Sequence, residues 1–172
     1  MMKRRHSLVV LALCGLMILM TIGANECQPV PAPFNASGEY MGAWTSGGDT
    51  CDLDATLSMN SAPALPPVWG GNGTFTFDLS CIEWPDELPP LGSVTSTIPG
   101  ALDEAGNLNY AGVVCGTPYC ITFAVNGKGV DVDDDNLMDT YDGTYSLSFA
   151  FAGFPPATAS GQFELDRVED NE

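Results

Sequence analysis

The sequence predicts an all-β protein, an antiparallel up-and-down barrel of about eight strands. After residue 36, apolar and polar residues alternate with a period of two through most of the chain, and no stretch has the helical period. Gly, Pro and Asn clusters separate the alternating stretches at short intervals, which leaves no room for crossover helices. An even number of strands allows the first to pair antiparallel with the last and close a barrel. A β-sandwich is the alternative.

Residues 1–24 have the composition of a secretory signal peptide. A basic start at residues 3–5 precedes a long apolar run, and small residues end the segment. Cleavage there leaves an extended, Pro-rich leader over 25–36 and a single domain over 37–170. We therefore expect a secreted, periplasmic or cell-surface protein with no membrane span after cleavage. An uncleaved anchor and a lipid on Cys27 are the alternatives.

Charge and the lack of histidine narrow the function classes. Signal removal takes away His6, the sole histidine, and leaves Lys128 and Arg167 as the only basic residues against 22 acidic ones. Such a surface repels nucleic acid and anionic lipid and attracts cations. Without histidine, Ser-His-Asp, Cys-His and His-zinc chemistry are excluded. The acidic residues form no distinct pair for glycoside hydrolysis, so we expect no enzyme.

The alternating stretches give bounds for the strands. The predicted strands are 37–46, 50–60, 72–81, 92–98, 107–115, 120–130, 143–151 and 160–168. In an up-and-down order, alternate connections lie at opposite ends of the barrel. The connections predicted at one end are 61–71, 99–106 and 131–142.

Four cysteines of the barrel domain fall into two pairs. Cys51 and Cys81 lie on the inner faces of consecutive strands, and a register that sets them opposite matches apolar residues with apolar residues. Cys115 and Cys120 flank a four-residue turn and can bond across their hairpin. In a secreted chain we expect both pairs to form disulfides.

One Asp-rich stretch, residues 131–142, has the spacing of calcium ligands. The predicted ligands are Asp131, Asp133, Asp135, the backbone carbonyl of Leu137, Asp139 and Asp142, at loop positions 1, 3, 5, 7, 9 and 12. Position 6 requires a positive φ, and it is held by Asn136, a residue that tolerates one. Crowded carboxylates repel one another, and a divalent ion relieves that repulsion. The stretch therefore predicts a structural Ca²⁺, with a solvated loop that holds no metal as the alternative.

Two family resemblances accompany these patterns. Gly42-Ala43-Trp44 in the first strand, with Arg167 in the last, resembles the calycin pattern of lipocalins, fatty-acid-binding proteins and avidins. This resemblance implies a secreted barrel in which the arginine packs on Trp44. Simple end-to-end pairing, however, places Trp44 and Arg167 near opposite rims, so that Tyr40 becomes the ring that Arg167 could cover. An Arg167 at the rim with its head in water is the alternative. The stretch 131–142 resembles the loops of EF-hand and thrombospondin type 3 repeats, although no EF-hand helices flank it.

Two hypotheses on function follow. The first is a calcium-stabilised barrel that binds a small apolar or amphipathic ligand at the end formed by 61–71 and 131–142, with Trp69, Tyr40 and Trp44 as ligand contacts. Trp69 alternatively plugs the barrel. The second is a calcium-binding surface or adhesion module with a filled core and a cell-surface partner. An open or a filled interior distinguishes the two.

Overall fold

The computed structural model is a closed barrel of eight antiparallel strands in up-and-down order, which confirms the predicted fold class. The structure describes residues 31–60, 63, 68–81, 92–116 and 119–169. The predicted signal 1–24 and the leader up to residue 30 lie outside the described residues. Among the described residues, no helix has the length and apolar character needed to cross a membrane.

The strands run close to the predicted bounds. They are β1 (Gly38–Ser46), β2 (Asp49–Met59), β3 (Val68–Asp78), β4 (Ser93–Asp103), β5 (Asn107–Cys115), β6 (Tyr119–Val130), β7 (Thr140–Phe151) and β8 (Ala157–Arg167). A single 3₁₀ turn, Leu79–Cys81, follows β3. Each strand pairs with its sequence neighbour, and β1 closes the barrel against β8 with Tyr40 opposite Arg167 and Trp44 opposite Phe163.

Alternation along the strands determines which side chains enter the core. In β2, Leu53, Ala55 and Leu57 are buried, while Asp52 and Asp54 between them face water. The largest fully buried side chains include Trp44, Trp69, Tyr40, Tyr110, Tyr141, Phe75, Phe77, Phe123 and Phe149. Several of these rings pack edge to face, as where Trp44 lies 4.9 Å from Tyr145 between ring centroids, whereas Phe77 stacks on Phe123. The barrel interior is therefore occupied largely by aromatic side chains.

The register between β2 and β3 differs from the prediction by two residues. The prediction set Cys51 opposite Cys81, whereas the structure pairs Leu53 with Phe77 and Ala55 with Phe75. A shift of two keeps every side chain on its predicted face, so the alternation cannot distinguish the two registers. β3 also begins four residues earlier than predicted, at Val68, so that Trp69 lies in a strand and not in a loop.

The two predicted disulfides have different outcomes. Cys115 and Cys120 lie directly opposite in the β5–β6 ladder and are bonded, as predicted. Cys51 also belongs to a disulfide. The side chain of Cys81 lies outside the described residues, so the Cys51–Cys81 pairing stays a prediction. A disulfide is consistent with an oxidising compartment.

The end of the leader is part of the barrel. Phe34 and Ala36 are buried in the core. The Phe34 ring lies close to the backbone of Gly106 and Gly129, near the hairpin ends of β5 and β6. A side chain at Gly129 would meet this ring, with an added Cβ only 2.7 Å from its Cζ atom. Residues 31–37, called the strap below, therefore lie across the end of the barrel that carries the β6–β7 connection.

Strands β4 and β5 are joined only near their turn. Their described ladder consists of Gly100 opposite Tyr110, Ala101 opposite Asn109 and Leu102 opposite Leu108. The next residue of β4 is Pro99, which has no N–H to donate to a ladder. The turn itself is capped by Asp103, which accepts hydrogen bonds from Ala105 and Asn107. These bonds, above all those from Asn107, hold the pKa of the Asp103 carboxyl below its usual range.

Candidate metal centre

The connection between β6 and β7 brings three of the predicted ligands together. Asp131, Asp133 and Asp139 each offer a carboxylate oxygen, and these oxygens lie within 4.8 Å of one another. Asp131 and Asp139 are partly buried, whereas Asp133 is exposed. This spacing allows all three carboxylates to contact one cation.

Backbone N–H groups of the loop orient the three carboxylates. Asp131 Oδ2 accepts from the N–H of Asn136 at 2.9 Å, and Asp133 Oδ1 accepts from that of Asp135 at 3.2 Å. Asp139 Oδ2 accepts from the N–H of Val132 at 2.5 Å. The second oxygen of Asp131, Oδ1, is buried and has no hydrogen-bond partner. A buried, unpaired carboxylate oxygen carries an unrelieved desolvation cost, which a bound cation would offset.

The loop backbone turns tightly through two residues of positive φ. Asn136 has a φ of 70°, in agreement with its place at position 6. Asp134 has a φ of 63°, which the ligand spacing did not predict. Asn and Asp are the residues other than glycine that best tolerate this conformation.

Two other predicted ligands, Asp135 and Asp142, do not belong to this cluster of carboxylates. Asp135 Oδ1 accepts from the N–H of Leu137 at 2.7 Å. Asp142 is exposed on the outer face of β7, opposite Lys128 of β6 and Glu164 of β8. β7 begins at Thr140, and the strand alternation that buries Tyr141 turns Asp142 outward. The prediction that the loop extends to 142 is therefore wrong, because its last residues belong to a strand.

The β6–β7 connection is hydrogen-bonded to the strap. Asn35 forms a parallel bridge with Leu137: its N–H donates to Asn136 O at 2.8 Å, and its carbonyl accepts from the N–H of Met138 at 3.1 Å. Met138 itself is fully buried. Neither Asn35 nor Met138 was predicted from the sequence to take part in the site. The only available signal was the alternation of Phe34, Asn35 and Ala36, which the neighbouring prolines masked.

Arg167 connects the same elements from the end of β8. Its Nε donates to Met138 O at 2.7 Å, and its Nη2 donates to Asn35 O at 3.2 Å and to Ser37 O at 3.1 Å. The same Nη2 donates to the hydroxyl of Tyr40 at 2.8 Å. Arg167 thus covers Tyr40, the ring expected from strand geometry, and not Trp44, the ring that the resemblance to calycins implied.

The three predicted ligand-contact residues are all buried. Trp44 Nε1 donates to Asp52 O at 3.1 Å, and the Tyr40 hydroxyl lies 3.1 Å from the carbonyls of both Ala36 and Met138. Burial raises the pKa of Tyr40 to about 12, against the lowering effect of Arg167 and with a smaller rise from Asp139. Tyr40 and Trp44 therefore use their polar atoms within the fold.

Trp69 differs from the other two in its surroundings. It is 1% exposed, and its buried Nε1 has no hydrogen-bond partner among the residues that the structure describes. Trp69 also lines a recess of about 440 Å³ between the strap and the barrel end, with Ala32, Phe34, Met59 and Leu102. The predicted end of the barrel thus contains both the metal cluster and a recess.

Comparisons of the chain with protein-family models, with curated proteins and with solved structures gave no match. The resemblance to calycins and to EF-hand and thrombospondin type 3 loops therefore stays a prediction. A barrel fold by itself assigns no function, because function depends on the residues of a site.

Proposed function

We propose that this chain is a secreted, calcium-stabilised β-barrel module whose largely filled core supports an outer binding surface for a partner. The observation that carries the proposal is the convergence of Asp131, Asp133 and Asp139 within 4.8 Å. Three like charges at this separation repel one another, and Ca²⁺ prefers oxygen ligands of this kind. The buried, unpartnered Oδ1 of Asp131 adds support. No catalytic role is proposed.

The metal would act on the attachment of the strap as well as on the loop. Asn136 and Met138 form backbone hydrogen bonds with Asn35, and both lie between the proposed ligands Asp133 and Asp139 along the chain. A cation that orders these carboxylates also fixes the backbone between them. Calcium binding is therefore expected to stabilise the barrel end, where the strap, the β6–β7 connection and Arg167 meet.

Thermal unfolding with and without calcium tests the proposal. Extracellular calcium modules have Kd values of roughly 10⁻⁴–10⁻³ M. A calcium concentration well above that range should raise Tm by on the order of 5 °C relative to the protein in EDTA. Mg²⁺ at the same ionic strength should raise Tm less. Calorimetric titration should give one site per chain. An unchanged Tm together with no heat of binding would show that the proposal is wrong.

A further inference from the structure

We infer that the outer surface beside the metal cluster docks a segment of another protein that carries basic and apolar side chains in alternation along one face. The surface contains an open groove of about 600 Å³ between the β6–β7 connection and the end of β8. This docking site rests on the proposed function, because it assigns a place and a chemistry to the partner proposed there. The calcium ion and the partner are tested by separate measurements.

Exposed apolar side chains are concentrated at this groove. Val132, which is 70% exposed, and Val168 both line it. Val130 and Met41, which are also exposed, lie directly opposite lining residues in the strand ladders. In the part of the chain that the structure describes, four of the six exposed large hydrophobic side chains therefore lie at one place. Such an apolar patch within polar surroundings is typical of a protein-binding surface.

A row of paired residues gives the width of the patch. Met41 of β1 lies opposite Asp166 of β8. Asp166 lies opposite Thr140 of β7, and Thr140 lies opposite Val130 of β6. Neighbouring strands are about 4.8 Å apart, so the two apolar ends of the row are about 14 Å apart. An extended chain places residues four positions apart at about 13 Å, with their side chains on one face. Two apolar residues of an extended partner would therefore contact Met41 and Val130, while a basic residue between them lies over Asp166.

Carboxylates determine the charge of the partner. Five of them line the groove, those of Asp133, Asp135, Asp139, Asp166 and Glu169. Arg167, the only basic residue among the described lining residues, is already bonded to backbone carbonyls and to the hydroxyl of Tyr40. Basic side chains of a partner are therefore complementary to the groove, whereas nucleic acid and anionic lipid would be repelled. A second copy of the chain supplies few basic groups, because its described part has only Lys128 besides Arg167.

A designed peptide tests the docking site. Its sequence, Lys-Ser-Leu-Ser-Lys-Ser-Leu-Ser-Lys, places the leucines and the lysines on one face when the peptide is extended. Fluorescence anisotropy of the labelled peptide would measure binding in saturating calcium. We expect replacement of both leucines by serine to weaken binding about tenfold, and replacement of the lysines by glutamate to abolish it. No binding of the parent peptide at millimolar protein, or equal binding of the leucine and serine peptides, would overturn the inference.

Two pairs of variants locate the site. Met41→Ser should weaken peptide binding about fivefold, whereas Val113→Ser, on the outer face of β5, should leave it unchanged. Asp166→Asn should weaken binding about threefold at low salt, whereas Asp49→Asn, at the opposite end of the barrel, should not. All four side chains are exposed, so the fold should persist. A Met41→Ser variant that binds as tightly as Val113→Ser would place the peptide elsewhere on the acidic surface and contradict the inference.

Other occupants of the surface would give different results. Spermine carries positive charges without apolar side chains, so it should compete with the peptide only weakly. Competition by spermine as strong as that by the unlabelled peptide would show that charge alone is bound, and it would overturn the inference. A dimer in gel filtration that Met41→Ser dissociates would identify a second copy as the occupant, which also overturns it.

Calcium distinguishes docking from replacement of the ion. Peptide binding should persist in saturating calcium, because Asp135, Asp166 and Glu169 line the groove but do not belong to the metal cluster. Binding in EDTA that disappears in calcium would show that a lysine merely replaces the ion at Asp133 and Asp139, and it would overturn the inference. The difference in Tm between calcium and EDTA, measured without peptide, decides the calcium proposal by itself.

Discussion

Arg167 lies over the ring of Tyr40, with its Cζ 5.1 Å from the ring centroid, and also donates to the Tyr40 hydroxyl. The same guanidinium holds backbone carbonyls of the strap and of the β6–β7 connection. A planar guanidinium provides several donors in fixed directions, which the single ammonium of lysine cannot do. One side chain of β8 thus joins the first strand, the strap and the loop that carries the metal ligands.

Arg167→Lys is therefore expected to destabilise the barrel although it keeps the charge. Loss of these bonds should lower the free energy of unfolding by about 1–3 kcal/mol. Lys128 is the matched control, because it is basic but exposed on the outer face of β6. Lys128→Gln should change stability by less than about 0.5 kcal/mol. Urea unfolding measures both, and an Arg167→Lys variant as stable as the unchanged protein would show that Arg167 acts through its charge alone.

Two aspartates of the Asp-rich stretch should respond differently to the same change. Asp139→Asn removes a carboxylate from the cluster and keeps an oxygen that can accept from Val132, so the rise of Tm in calcium should be lost. Asp142→Asn removes a carboxylate from the outer face of β7, and the rise should persist. The measurement is the difference in Tm between calcium and EDTA for each variant. Loss of the calcium effect in Asp142→Asn would support the predicted set of six ligands over residues 131–142 and contradict the three-residue cluster.

The alternation of apolar and polar residues was sufficient to predict the strands but not the register in which they pair. A period of two identifies which residues face the core, because a strand buries one face. Pairing Leu53 with Phe77, as the structure has it, leaves the same faces buried as the predicted pairing, so the pattern contains no information that separates them. The lengths of the turns determine the register, and these lengths could be predicted from the sequence only approximately.

The metal site was predicted in part, because two patterns overlap at its end. Ligand spacing assigns Asp142 to the loop, whereas the alternation of Tyr141, Gly143 and Tyr145 assigns it to a strand, and the strand pattern prevails in the structure. The bridge between Asn35 and Leu137 joins residues far apart in sequence. No local pattern encodes such a contact, because it arises only when the barrel closes.

Alkaline unfolding should be cooperative. Burial raises the pKa of Tyr40 to about 12 and also raises the pKa of Tyr110 and Tyr141 above the usual value. A raised pKa means that the folded state holds its proton more tightly than the unfolded state. The resulting stability is fully present below the unfolded value of about 10 and is lost as pH rises toward 12.

The tyrosinate absorbance and the circular dichroism of the barrel should therefore change together between about pH 10 and pH 12. Tyr40→Phe removes one of the buried hydroxyls, so the variant should lose less stability between about pH 10 and pH 12. Its midpoint of alkaline unfolding should therefore lie at a higher pH than its stability at neutral pH alone would give. A rise in tyrosinate absorbance near pH 10 that accounts for all tyrosines, with the circular dichroism unchanged, would contradict the burial of these hydroxyls.

Gly100 lies in the shortest described ladder of the barrel, where the Tyr110 ring leaves no room for a side chain. It lies opposite Tyr110 in the short β4–β5 pairing, and an added Cβ would come within 2.1 Å of Tyr110 Cδ1. Gly100→Ala must displace the Tyr110 ring, which packs edge to face on Phe75 with centroids 5.2 Å apart. Overpacking of this kind typically costs about 1–3 kcal/mol.

Because Gly100 lies at the end of this ladder, we expect Gly100→Ala to increase local opening of β4 and β5 as well as to lower the free energy of unfolding. Since the β4–β5 ladder has only three described pairs, loss of its outermost pair should let the two strands separate further. Hydrogen exchange in Gly100→Ala should accelerate at Ala101 and Asn109 more than in β6 and β7, which share a long ladder. Gly116→Ala is the control, because its nearest neighbour, Tyr119 Cζ, is 3.9 Å from an added Cβ. Uniform acceleration throughout the barrel would indicate global destabilisation and contradict a local role of the β4–β5 ladder.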